Sequence, residues 1–459
     1  MSVWKRLLIR QWPFWLGGLL VGIAEILFYA RYDMFIVVTT GLAQMFAVPE
    51  ALFFNWDGVG QAYEPGVHWL IVGALLGARL VAMVEQESRA WVRFQPSMLV
   101  MAFIGGALFS FGTRLSAGCT THHFIGGIAA MSLASWTVLL TGIPFAFLAF
   151  LLIMKMNLGG YYRHQDNLES AHQCVNNPDQ PFPGFHPEYR PWKNPIHILL
   201  TVLLLLIFGI PVYYGLFTND IASGLSDIGW SHLLWLLLCG LLLGFGIAKC
   251  GYGTECAIMA PHASLFGGKR FRDNGVPMVS YTMFRALLPL QGLMTSIVVF
   301  NLYILYAWWR GIGPIPNASG EYGLYLGHFL GGPLLAIGAV FMIGCEVRTY
   351  ARLGLGYGTA LAALPGFYVG YLPYTFFRDT IDDAMLTKGL TTFTTLPQTA
   401  MHLFGGSEAL WNVMYTLLLI TILVISFVAG KRYINTSYRT LLTAETDALL
   451  LNHDPKQMP

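Results

Sequence analysis

Eight stretches of this chain, residues 12–30, 67–84, 135–155, 196–216, 230–248, 276–306, 323–344 and 408–429, are apolar over the length of a membrane span. An α-helix needs about 20 such residues to cross roughly 30 Å of hydrocarbon, where every backbone polar group must find its partner within the protein. The chain is therefore predicted to be an all-α integral membrane protein in contact with lipid. Only 11% of its 459 residues are charged and its mean hydropathy is +0.57, which excludes an ordinary soluble domain. Two further apolar stretches, 98–134 and 345–375, are interrupted by Gly, Cys and Arg. They read as broken or re-entrant helices, which brings the expected membrane segments to roughly nine or more.

The few charges are placed as topology signals. A formal net charge of +2 with no long basic block leaves nothing to track a phosphate backbone, so no nucleic-acid partner is expected. Lys5, Arg6 and Arg10 precede the first span, and Lys431, Arg432 and Arg439 follow the last, so both termini are expected in the cytoplasm of an inner-membrane protein. The basic segments 155–195 and 268–275 belong inside by the same rule, whereas 217–229, with Asp220 and Asp227, belongs outside. The charged start lacks a small-residue cleavage site, so the first helix is expected to be retained. The polar segment 157–195 divides the chain into a first membrane half, 1–156, and a second, 196–459, the latter with a long loop at 376–407.

The 50 glycines repeat. Gly18-Leu-Leu-Val-Gly22 returns as Gly240-Leu-Leu-Leu-Gly244, an offset of 222 residues, and Gly106-Ala-Leu-Phe-Ser-Phe-Gly112 returns as Gly338-Ala-Val-Phe-Met-Ile-Gly344, an offset of 232. With the charge assignment, the paired spans run in opposite directions. A pseudo-twofold inverted repeat follows, a construction that places a binding site between the two halves.

Three Gly-rich clusters hold the chemistry. Phe111-Gly-Thr-Arg-Leu-Ser-Ala-Gly-Cys-Thr-Thr-His-His-Phe-Ile-Gly-Gly127 combines Arg114, Cys119, Thr120 and His123, and Gly344-Cys-Glu-Val-Arg-Thr-Tyr-Ala-Arg352 holds Cys345 and Arg348. Lys249-Cys-Gly-Tyr-Gly-Thr-Glu-Cys256 holds Cys250 and Cys256. Ionisable groups at membrane depth are costly and mark a pathway, unless Arg114 reaches a membrane surface and the histidines cap a helix there. Helix N-termini in such breaks aim N–H groups at an anion, arginine adds charge, and thiols add soft contacts. An anion with sulfur or selenium atoms suits this set better than phosphate does. Cys239, inside Trp-Leu-Leu-Leu-Cys-Gly, reads instead as a small packed hydrophobe, and Cys174 in the polar loop favours neither reading. Glu25 and Arg285 lie within spans, where they can pair with each other or carry a coupling proton. The Cys and His spacings match no usual zinc site, His68, His232 and His328 are poor grounds for haem, and no nucleotide or protease motif occurs, so neither metal nor cofactor is expected.

The run 111–136 resembles the signature of the YeeE/YedE family of sulfur transporters, a Gly-Gly-Cys-Thr-Ser-Gly-His pattern followed by Leu-Ser-x-x-Ser, with Cys119, Thr120 and His123 on matching positions. The run from Gly344 to Gly356 is similar to the family's second-half Gly-Cys-Pro-x-Arg motif, with Glu346 in place of the proline. The resemblance implies re-entrant helices and import of thiosulfate past Cys119 and Cys345, which would contact it in relay, and a small cytosolic sulfur-carrier protein as receiver. Some relatives are associated with selenium metabolism. The expected function is thus a permease, not an enzyme, for a small sulfur-containing anion, with Arg114, His123 and Arg348 setting the electrostatics. The alternatives are a non-transporting subunit that anchors a respiratory or sulfur-oxidising enzyme, and an enzyme that forms a persulfide on a membrane thiol.

Overall fold

The computed structural model describes residues 12–54, 56–84, 96–155, 195–217, 229–250, 253–254, 287–318 and 323–431. The segments that carry the topology charges at 1–11, 156–194, 218–228 and 432–459 lie outside these residues, as do Cys174, Cys256, Arg285 and the basic segment 268–275. Among the described residues, seven helices are long and apolar enough to cross a membrane, and two shorter apolar helices accompany them. The protein is an all-α multi-pass membrane protein, as its apolar runs predict.

The first half comprises α1 (Phe14–Tyr32), the short α2 (Thr39–Pro49), α3 (Trp69–Val84), α4 (Pro96–Leu115), the π-wound α5 (Thr121–Gly127) and α6 (Leu133–Lys155). Next come α7 (Pro195–Leu204) and α8 (Ile210–Phe217), joined by a π-wound turn, and then α9 (Gly229–Cys250) and α10 (Leu288–Trp309). The chain continues through α11 (Leu326–Phe341), α12 (Glu346–Leu355) and α13 (Gly358–Phe376). It ends with α14 (Arg378–Met385), α15 (Leu396–Phe404) and α16 (Glu408–Ala429).

Glycine contacts reveal the symmetry. A methyl group added at Gly18 of α1 would collide with the Gly292 carbonyl of α10, and one at Gly240 of α9 with the Leu70 carbonyl of α3. The pairs Gly22 with Ser296 and Gly244 with Ala74 repeat this one turn further on, at the same offset of 222. In the core crossing, Gly105 of α4 abuts Gly338 of α11, and Gly112 abuts Gly331. Residue numbers rise along one helix as they fall along the other, so these equivalent helices are antiparallel. A twofold axis relating antiparallel helices is perpendicular to them and lies in the membrane plane, which is the inverted repeat.

The second glycine alignment needs correction. The structure equates Gly112 with Gly338, an offset of 226, not the 232 read from the sequence. Gly106, Gly112 and Gly118 are spaced six apart, as are Gly332, Gly338 and Gly344, so the pattern matches itself one step out of register. In the observed register all three pairs align.

The 376–407 segment is not a loop. It folds into α14, α15 and a strand β2 (Gly389–Thr391) paired antiparallel with β1 (Leu324–Tyr325). Thr395 caps α15, its hydroxyl accepting from the Gln398 N–H at 3.3 Å. The same segment closes the end of the first broken helix, where Leu133 N donates to the Thr394 carbonyl at 3.0 Å and Leu396 N to the Met131 carbonyl at 2.9 Å. The buried C-terminal carbonyls of this helix are also served: Ile128 accepts from the Tyr415 hydroxyl at 2.6 Å and Ala129 from the Asn301 amide at 2.7 Å. A re-entrant helix end at membrane depth requires such partners.

Candidate functional site

Two turns related by the pseudo-twofold axis carry the cysteines. After α4, Ser116 N bonds to the Gly112 carbonyl and Gly118 N to the Thr113 carbonyl, both at 3.0 Å. After α11, Met342 N bonds to Gly338 at 3.0 Å and Gly344 N to Ala339 at 2.9 Å. Each turn forces a side-chain-bearing residue to positive φ, Ala117 at 55° and Ile343 at 60°. That conformation costs about 1–2 kcal/mol per residue, so the turns must be held from outside.

They are held in corresponding ways. Arg352 donates to the carbonyls of Met342 at 2.8 Å and Ile343 at 2.9 Å. His123 Nε2 donates to the carbonyl of Ser116, the equivalent of Met342, at 2.9 Å, and its Nδ1 accepts from the Ser135 hydroxyl at 3.1 Å. Both nitrogens of His123, a residue expected to face the substrate, are thus engaged by the protein.

Cys119 and Cys345 follow the two turns and open α5 and α12, with Cys119 0% and Cys345 2% exposed. The backbone N–H groups of Val38, Thr121 and His122 face Cys119 Sγ. Val38 is the N-cap of α2, so a second helix start converges on the thiol. Arg114 donates to the Tyr63 hydroxyl at 2.8 Å and to Thr40 Oγ1 at 3.4 Å. Its guanidinium carbon lies 5.5 Å from the ring centroids of both Tyr63 and Tyr371, so it is held by cation–π contact with both rings. Tyr371 in turn donates to the Thr39 carbonyl at 3.0 Å.

Glu346, next to Cys345, completes this cluster. It is 0% exposed, accepts from the Tyr350 hydroxyl at 2.6 Å, and acts electrostatically on Arg114, Cys119 and Tyr371. Its second oxygen has no hydrogen-bond partner among the described residues. The structure thus brings together Arg114, Cys119 and, through Glu346, the turn that bears Cys345.

The other expected residues are placed differently. Thr120 Oγ1 is buried, lacks a hydrogen-bond partner among the described residues, and lines a small apolar cavity between α5, α6 and α11 with Ala146 and Val340. Arg348 is half-buried with its stem beside Gly344. Cys250 donates to the Gly246 carbonyl of its own helix at 2.8 Å and packs on Gly17 at the crossing of α1 and α9. Cys239 is buried in α9, as its apolar surroundings suggest. Glu25 accepts from Ile36 N at 2.8 Å, and its expected partner, Arg285, is outside the described residues. Sequence reasoning missed Thr39, Thr40, Tyr63, Tyr350 and Tyr371, and it noted Glu346 only as a departure from a motif.

Fold and site together define a polytopic helical membrane protein built as an inverted repeat, with buried thiols at the heads of broken helices and a half-buried cation beside one of them. Residues 1–148, which run through the Cys119 turn into α6, match the family model described as sulphur transport. That match covers about a third of the chain and includes the run around Cys119, but not the run from Gly344 to Gly356. An 82-residue stretch is 32% identical to the thiosulfate transporter TsuA of Spirochaeta thermophila, a match that spans 18% of this chain and 22% of that protein's length.

Proposed function

We propose that the protein is a permease for a small sulfur-containing anion, with thiosulfate as the preferred substrate and Cys119 and Cys345 as contacts along its path. The observation that carries this reading is the pair of twofold-related turns, each setting a buried cysteine at the head of a broken helix, with Arg114 beside one of them. Backbone N–H groups at helix starts and a fixed guanidinium favour negative charge. Thiols are weak donors whose polarizable sulfur suits a soft terminal sulfur better than a hard oxygen. The match to the sulphur transport family and to a named thiosulfate transporter supports the same substrate class. In this reading the halves 1–156 and 196–459 are the two repeats, and a cytosolic sulfur-carrier protein receives the product.

Competition against labelled thiosulfate in liposomes that contain the purified chain tests the substrate. Thiosulfate and selenosulfate are expected to compete, whereas sulfate, of equal charge and similar shape but without a soft terminal atom, is expected not to. Equal competition by sulfate would mean that charge alone is recognised.

A further inference from the structure

The pseudo-twofold axis supplies an internal control for the charges in the site. The positions equivalent to Glu346, Arg114 and Tyr371 are Thr120, Val340 and Ala146, by the register of the turns and of the helices that follow them. Those three equivalents share one pocket, the small apolar cavity between α5, α6 and α11. The cluster around Glu346 is therefore polar and charged and its equivalent neutral and largely apolar, on the same backbone. The fold itself does not demand a buried glutamate within electrostatic reach of Arg114, and an ionisable group at membrane depth that packing does not require points to a functional role.

The two copies agree in one respect. Glu346 and Thr120 each directly follow a cysteine, and each holds a buried oxygen that lacks a hydrogen-bond partner among the described residues. On the Glu346 side, the surrounding groups are accounted for element by element. Arg114 of α4, Cys119 and Tyr371 of α13 act on the carboxyl electrostatically, and Tyr350 of α12 donates to it. From α3, Arg79 bonds to the Gly354 carbonyl at the far end of α12 at 3.4 Å. Lys249 and Cys250 lie on α9, which also packs on α12, and Arg348 and Arg352 are on α12 itself. Arg114 is the cation that acts on Glu346, and it is the same cation that an incoming anion needs.

We propose that Glu346 carries a proton that crosses the membrane together with the anion. In the empty protein the carboxylate balances Arg114. When the anion takes Arg114 as its partner, two negative groups would share one cation in a water-poor pocket, and a proton from the entry side neutralises Glu346. The neutral acid then presents an O–H on its second oxygen, a donor like the Thr120 hydroxyl. On the exit side the anion leaves, Glu346 returns to Arg114, and the proton passes to water. One proton moves per cycle and no covalent bond in the anion changes.

The proposal rests on the permease reading, and the test separates the two. Full-length protein is reconstituted in liposomes, the membrane potential is clamped with valinomycin and equal potassium, and uptake of ³⁵S-thiosulfate is measured with and without an inward proton gradient. With one proton per anion, a gradient of about one pH unit drives accumulation on the order of tenfold in the wild type. In Glu346→Gln that ratio is expected to fall to near one, while labelled thiosulfate still exchanges against unlabelled thiosulfate, at a reduced rate. A wild type that exchanges thiosulfate but ignores the gradient overturns the proton proposal alone. So does a Glu346→Gln protein with the wild-type ratio. A wild type that exchanges no thiosulfate overturns the permease reading and this proposal with it. If Glu346→Gln does not reconstitute, the wild-type arm decides, supported by a trapped pH dye that must report acidification on addition of thiosulfate.

Discussion

Arg352 and His123 are unlike in chemistry and sit at positions that are not equivalent, yet they brace equivalent carbonyls, those of Met342 and Ser116. Removing either leaves a strained turn with a buried carbonyl that has lost its donor. Arg352→Ala is expected to cost about 2–4 kcal/mol and His123→Ala about 1–3 kcal/mol, read as lower midpoints of thermal unfolding in detergent. Arg352→Lys should recover only part, because a single ammonium does not reproduce the fork whose Nη1 serves both carbonyls while Nη2 reaches the Thr359 hydroxyl. The sequence places Arg114, Cys119 and His123 within one short run, which made the first cluster legible. It does not say which side chains of that run face the cavity and which support it, since that depends on the turn between α4 and α5. The residues that hold Arg114 come from far segments, Tyr63 before α3 and Tyr371 in α13, and no local pattern joins them. Glu346 carried a usable signal, an acid in an apolar stretch, but it was weighed as a mismatch to a motif rather than as chemistry.

At the level of elements, the long helices were legible because an apolar run of span length has few alternatives in lipid. The 408–429 helix matches its expected limits, and the breaks in 98–134 and 345–375 fall where Gly and Cys interrupt the pattern. Short elements were not legible. The 11 residues of α2 are too few to register as a span, although its N-terminus reaches Cys119. The 376–407 segment reads as polar, yet Thr395-Leu-Pro-Gln398 is a helix start with a capping residue, a proline in the first turn and a glutamine three residues on. Packing at the helix crossings gives a sharp prediction. Val at Gly105 or Gly338 must push apart two backbones that touch, so both variants are expected to lose most folded protein in detergent by size-exclusion chromatography. Gly313→Ala, where an added methyl meets nothing within 4 Å, is expected to behave as wild type.

The molecule as a whole is a symmetric frame with an asymmetric site. Two repeats of opposite direction give twofold-related turns, and each turn buries a cysteine at the start of a short helix. Only one of the two equivalent side-chain clusters is charged, and that difference separates the scaffold from the chemistry. Glycine repeats revealed the frame from sequence, although the six-residue glycine spacing hid its register until the backbones were seen in contact. The asymmetry was not legible, because it is defined only once equivalent positions are known. The central claim is that both cysteines lie on one path for a soft anion. The most direct test is thiosulfate uptake by wild type, Cys119→Ala and Cys345→Ala, reconstituted at equal amounts, with folding checked by size-exclusion chromatography. We expect each substitution to reduce uptake about tenfold or more, the loss of roughly one weak donor at a desolvated contact. Wild-type uptake by both well-folded variants would contradict the claim.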